Sequence, residues 1–175
     1  MINENVEKAI INQIKLEEHS SRLYLAMASW CEAHGYPGAA FWLYKQAEEE
    51  RFHQLKFIKY VNNRNGYARL LGLDIPDSAY KSLSDIFEKV LAHEEMITDS
   101  INQLYAIAMA EKDFTTANFL QWYITEQIEE EGNVHAILDK INLVSADKSG
   151  EYLIDKELDT LAAAKVVPSI FTTPV

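Results

Sequence analysis

The chain has 175 residues, 48% of them hydrophobic and 25% charged, with a formal charge of -11; this is the balance of one soluble globular domain with a full core, not of a disordered or membrane-embedded chain. The negative charge disfavours nucleic acid and anionic lipid as partners and favours cations. A single cysteine, Cys31, excludes an intrachain disulfide, and an N-terminus without a basic stretch and apolar run leads us to expect a cytoplasmic protein with no membrane association and no nucleic-acid partner.

From about Asn5 to His34 the apolar rhythm runs Ile10, Ile14, Tyr24, Met27, Ala28, Cys31, and Glu17 falls into it. The spacing predicts a helix that stops at Gly35-Tyr36-Pro37-Gly38. A second helix is predicted from about Ala39 to Arg64. Its core stripe carries Leu43, Ala47, Phe57 and Val61, and between them Glu50-x-x-His53 sets a carboxylate and an imidazole one turn apart on one face. That pair is a two-ligand metal clip. Gly66 to Lys81 lacks helical periodicity and reads as a long connection.

Ser82-Leu83-Ser84-Asp85 has the form of a capping box. It opens a third helix to about Lys112 on the stripe Leu83, Phe87, Val90, Glu94, Ile97, Ile101, Leu104, Ala108, with Glu94 as the intruder. A fourth, from about Thr115 to Leu143, places Leu120, Tyr123, Gln127, Glu130, Val134, Ile137 and Ile141 on one face. After Ser145-Ala146-Asp147 comes a short helix over about 150–164, then an irregular tail with Pro168 and Pro174.

Each long helix has about 26 to 30 residues, hence an axis of about 40 Å. Short links make the first and second, and the third and fourth, antiparallel hairpins. The middle connection of about 15 residues can reach roughly 50 Å when extended, enough to cross the whole bundle. The expected fold is therefore all-α: a four-helix bundle with one long crossover connection plus a short fifth C-terminal helix. That last helix is too short to be a stave, and its face with Leu153, Leu158 and Leu161 invites a partner chain.

Glu17, Glu50, Glu94 and Glu130 each lie near the middle of a helix, and midpoints coincide whichever way the helices run. The sequence thus predicts four inward carboxylates and His53 at one height in a bundle core. A buried, unpaired carboxylate costs at least several kcal/mol. No lysine or arginine on the stripes lies at this level, so bound cations are the simplest remedy. Oxygen ligands with one imidazole suit iron or manganese better than a thiolate-type zinc site. A metal held only for structure and a di-metal oxygenase both remain open at this point. His19, His34, His93 and His135 fall off the ring and are expected at surfaces or helix ends, and Cys31 is expected in the core.

With these residues in place, the chain resembles the bacterial non-haem ferritins over nearly its full length, including the terminal segment from Gly150 to Leu158. The most specific segments are Glu48 to His53, and Asn118 to Tyr123 continuing through Glu126-Gln127-Ile128-Glu129-Glu130-Glu131. The resemblance implies a ferritin-like di-iron domain over 1–165 with a tail over 166–175. It implies a ferroxidase centre in which Glu17, Glu50 and His53 hold one iron while Glu50, Glu94 and Glu130 hold a second, with Gln127 beside them and Tyr24 as a hydrogen-bonding neighbour. Glu49, Glu126 and Glu129 match a third iron site. The implied activity is oxidation of Fe(II) by dioxygen or hydrogen peroxide and storage of ferric mineral in a homo-24-mer. Haem-carrying relatives place a methionine just after the Glu of the second helix's Glu-x-x-His and repeat that motif on the fourth helix. This chain has Arg51 and Glu130 there, so no haem is expected.

Overall fold

The computed structural model describes residues 2–144 and 147–170, which form five helices and, among the described residues, no strand. They are α1 (Glu4–Ala33), α2 (Pro37–Asn63), α3 (Leu83–Ala110), α4 (Phe114–Val144) and α5 (Lys148–Ala164). The fold is the all-α bundle with a short C-terminal helix that the apolar rhythm predicts. No described helix is long and apolar enough to cross a membrane.

Two apolar clusters divide the core and fix the direction of every stave. One gathers Val6 and Ile10 of α1, Phe57 and Val61 of α2, Ile101 and Leu104 of α3, and Leu120 of α4. The other gathers Met27 and Cys31, Ala39 and Leu43, Leu83 and Phe87, and Ile137 and Ile141 from the same four helices. So α2 and α3 run parallel, and α1 and α4 run against them. Between the clusters lies a buried polar belt that contains Glu17, Glu50, His53, Glu94, Gln127 and Glu130.

The crossover between α2 and α3 travels the length of the bundle along α1. The Tyr67 N–H donates to Glu7 at 2.9 Å, Lys15 pairs with Asp74 at 3.4 Å, and Lys89 of α3 receives the far end through Asp77 at 3.1 Å. Its apolar side chains Tyr67, Leu70 and Ile75 are exposed.

Local chemistry explains the helix ends. Asn3 caps α1 through the N–H groups of Asn5 and Val6, and Ser82 caps α3 through the N–H of Asp85 at 3.1 Å. The box at Ser82 is shifted by one residue, because the Asp85 carboxylate reaches back to the N–H of Lys81 at 2.9 Å. α2 begins at Pro37, earlier than the predicted Ala39. Proline is tolerated in a first turn, whose N–H groups have no helical partner. Gly38 lies inside the helix because α5 crosses it: a Cβ there would sit 1.8 Å from the Asp155 carbonyl oxygen. α1 stops before Gly35, which has φ +86°, whereas α2 ends at Asn63 and α3 at Ala110, just before their predicted ends at Arg64 and Lys112, and Asn65 and Lys112 beyond them adopt φ of 59° and 57°.

α5 packs across α2 and α4 at one end of the bundle. Of its predicted apolar face, Leu158 is buried in the core with Ile154 and Ala162, while Leu153 and Leu161 remain exposed. α5 starts at Lys148, ahead of the predicted 150, because Asp147 caps the N–H groups of Ser149 and Gly150. Of the link before it, Ser145 and Ala146 lie outside the described residues. The tail is non-helical over 165–170; the rest of it, Pro174 included, lies outside the described residues.

Candidate metal centre

Each side chain predicted for the two-ion centre reaches the belt because it shares a helix face with core residues. Glu17, Glu50, His53, Glu94, Gln127 and Glu130 are all buried. Ligand atoms of Glu17, Glu50 and His53 lie within 4.8 Å of one another. The His53 Nδ1 is 3.5 Å from a Glu50 oxygen and 4.0 Å from a Glu17 oxygen. The α2 backbone is tied to α4 here, since the Tyr123 hydroxyl donates to the His53 carbonyl at 2.9 Å. The Trp122 and Tyr123 rings stand edge-on to the imidazole.

Glu94 and Glu130 complete the belt from the other hairpin. Tyr24 donates its hydroxyl to Glu94. The Gln127 amide donates to the other Glu94 carboxylate oxygen at 3.1 Å and to the Glu94 carbonyl at 3.3 Å. Glu130 accepts from the Gln46 amide at 2.6 Å, and Glu17 accepts from the Gln13 amide at 2.9 Å. Gln13 and Gln46 escape the sequence reading, which has Tyr123 only as a core-face residue. Gln13 and Gln46 stand one turn before Glu17 and Glu50, so an amide preceding a core carboxylate is the signal that could have found them.

Burial, then the Glu50 charge, pushes the Glu17 carboxyl well above the usual carboxylate range. Glu50 is raised for the same first reason and then by Glu94 and Glu130. Glu94 is pushed up to about 7 by burial and by Glu130. Burial also raises Glu130, against the opposing pull of Lys165, and raises the Tyr24 phenol, with Glu94 as the next cause. These carboxylates are uncomfortable as anions. One Glu17 oxygen and His53 Nε2 are buried without a hydrogen-bond partner among the described residues. Buried groups of this kind are rarely left so. A cation bound among them would answer both the charge and the open lone pairs, so the donor set fits a metal.

A second group lies outward. Ligand atoms of Glu49, His53 and Glu126 come within 4.8 Å of one another, Glu49 being buried and Glu126 half-buried. Glu129, predicted to join them, is exposed in a groove shared with Gln46, Asn133 and Lys165. No stripe supplies a basic side chain at this level, as expected, but Lys165 brings one from outside them. It comes from beyond α5, outside every helical stripe, and pairs with Glu49 and, at 3.6 Å, with Glu130.

Of the off-ring histidines, His93 departs from the surface expectation. Its ring sits beside Tyr24, its Nε2 is 2.7 Å from Ser20 Oγ, and burial, then His19, pushes its pKa down to about 4. Cys31 is buried as expected, its thiol pushed up to about 12 by burial and by Asp155.

Residues 7–144 match the family described as ferritin-like domain. A probable bacterial non-heme ferritin-like protein of Haemophilus influenzae is 42% identical over 162 residues, spanning 93% of this chain and 98% of its own. A bacterial non-heme ferritin of Campylobacter jejuni is 39% identical over 165 residues, 94% and 99% of the two chains. A solved open-pore ferritin from the hyperthermophilic archaeon Archaeoglobus fulgidus superposes with a TM-score of 0.89 at 40% identity, covering 90% of this chain and 96% of that one.

Proposed function

Since the chain belongs to the ferritin-like domain family, we propose that it stores iron, oxidising Fe(II) at the buried carboxylate belt and depositing ferric mineral inside a shell of 24 copies. The observation that carries this reading is the convergence of Glu17, Glu50 and His53 within 4.8 Å in a core where one Glu17 oxygen has no hydrogen-bond partner among the described residues. Glu17, Glu50 and His53 hold the first Fe(II), and Glu50, Glu94 and Glu130 hold the second, with Glu50 shared. Gln127 and Tyr24 orient Glu94. Glu49 and Glu126 take a third ion on its way to the cavity, with Glu129 beside the groove.

In this reading iron is substrate and cargo. Each Fe(II) gives up one electron, and dioxygen takes two electrons and two protons to become hydrogen peroxide; peroxide as oxidant takes two electrons and two protons to become two waters. Holding two ions together makes the two-electron step possible without releasing one-electron oxygen radicals. The carboxylates supply the negative charge that favours Fe(III) over Fe(II), while Phe52, Trp122 and Tyr123 wall the centre with rings. Shell assembly is supported by the exposed apolar residues of the crossover and α5, and by the similarity to a solved open-pore ferritin. Arg51, exposed on α2, replaces the methionine of haem-carrying relatives, so the protein is read as free of haem; the buried free thiol agrees with a cytoplasmic setting.

The test is aerobic oxidation of Fe(II) followed by native mass. Rapid absorbance growth at about two Fe(II) per subunit, in a particle far larger than one 20.0 kDa chain, is the expected result. A monomer, or an oxidation rate equal to that of free iron, overturns it.

A further inference from the structure

Lys165 is the first residue past α5, and its backbone N–H is still held by the Leu161 and Ala162 carbonyls at 3.1 and 3.2 Å. From there its side chain passes between α2 and α4 to the outer acidic group. The ammonium pairs with Glu49, donates to the Gln46 side-chain carbonyl and stands 3.6 Å from Glu130. The segment after it is tied down as well, since Ile170 is buried and its carbonyl accepts from Lys59 at 3.3 Å. Glu49 and Lys59 are ten α2 residues apart, about 15 Å of helix, and five extended residues span about as much. The segment thus lies along α2 beside the outer edge of the centre.

We propose that Lys165 is a resident cation that competes with metal for the outer acidic group, so that the C-terminal segment determines how many ions the centre accepts. The inference rests on the metal-binding reading above and deepens it. An ammonium and a metal ion cannot share the same Glu49 oxygens: both need the space directly in front of them, and two cations packed there repel. With Lys165 in place the inner group of Glu17, Glu50 and His53 remains open, while the outer group is already neutralised by the chain itself. An ion of charge two or more that enters the outer group displaces the ammonium and frees the segment from its anchor at Glu49.

The test uses redox-silent Zn(II) on the assembled, iron-free protein, comparing wild type with Lys165→Met, which keeps the side chain's length without its charge, and with Lys165→Arg, which keeps the charge. Calorimetric titration is expected to show the site of Glu17, Glu50 and His53 filling alike in all three, and an outer site about tenfold tighter in Lys165→Met alone, the scale of one close charge contact. Hydrogen–deuterium exchange of the 165–170 amides is expected to quicken in the wild type on Zn(II) saturation. Equal outer-site binding in wild type and Lys165→Met, or unchanged exchange at saturation, overturns the role of Lys165 while leaving the inner centre standing. Absence of Zn(II) from the inner sites of every variant overturns the metal centre itself and this inference with it.

Discussion

The carboxylate of Asp155, on α5, accepts the backbone N–H of Ala39 at 2.8 Å, supplying from a distant part of the chain the cap that α2 lacks. Tyr36, at the N-cap position, offers no side-chain bond. The same α5 turn covers Gly38 so closely that no Cβ fits. Asp155→Ala should cost about 1–2 kcal/mol, the usual worth of a lost cap, with α5 loosening first. Hydrogen exchange localised to α5 and the start of α2 is the measurement. Gly38→Ala should do the same or worse, since the clash is with backbone.

Removing a shared ligand should separate assembly from chemistry. Glu50→Ala and His53→Ala are expected to slow initial aerobic Fe(II) oxidation by at least roughly tenfold while the native mass stays that of wild type. Stopped-flow absorbance and size-exclusion chromatography check the two halves independently. An unchanged oxidation rate in either variant would refute the assigned centre.

The strained carboxylates should make the metal-free protein less stable as pH rises. Glu17, Glu50 and Glu94 are raised by burial, Glu94 from an ordinary 4.5 to about 7. Across that interval the folded chain holds protons that the unfolded chain has released, so folding takes up protons and loses stability with rising pH. For Glu94 the benefit is whole below about pH 4.5 and gone above about 7, worth on the order of 3 kcal/mol at most; Glu17 and Glu50 act in the same direction. Denaturant midpoints of the iron-free protein are expected to fall between about pH 5 and pH 8, less steeply in Glu94→Gln. Zn(II) should raise the midpoint most at the higher pH, because ligation requires the ionised carboxylates.

At the opposite end of the bundle Arg64, just past α2, grips Asp113 through both terminal guanidinium nitrogens at 3.2 and 3.3 Å, and Asp113 in turn caps the N–H of Thr116 at 3.1 Å. One side chain thus starts α4 and locks it to α2. Asp113→Ala should cost about 1–3 kcal/mol, and Arg64→Lys less, since lysine keeps the charge but loses the fork. Thermal unfolding of the pair of variants distinguishes the two contributions.

What was legible in the sequence was whatever obeys a helical period. The stripes of α1 to α4 are buried residue for residue, and the four glutamates stood out because they interrupt those stripes. Residues that act across elements were not legible. Lys165 belongs to no stripe and meets Glu49 only because α5 folds back. Asp155 caps a helix more than a hundred positions away in the chain, so the start of α2 could not be read from local capping chemistry. Asn65 and Lys112 stop their helices by taking positive φ, a cost for lysine that only the surrounding packing sets. His93 looked like a surface residue because its partner, Ser20, lies on α1.

The interruption of the oily interior at mid-height makes each subunit two firm ends joined by a waist that is short of cohesion until ions arrive. If the belt binds iron as proposed, the ions held there are mortar as well as freight, stiffening the staves that ligate them. The metal-free protein should then be the softer one, and the metal-bound protein the harder to take apart.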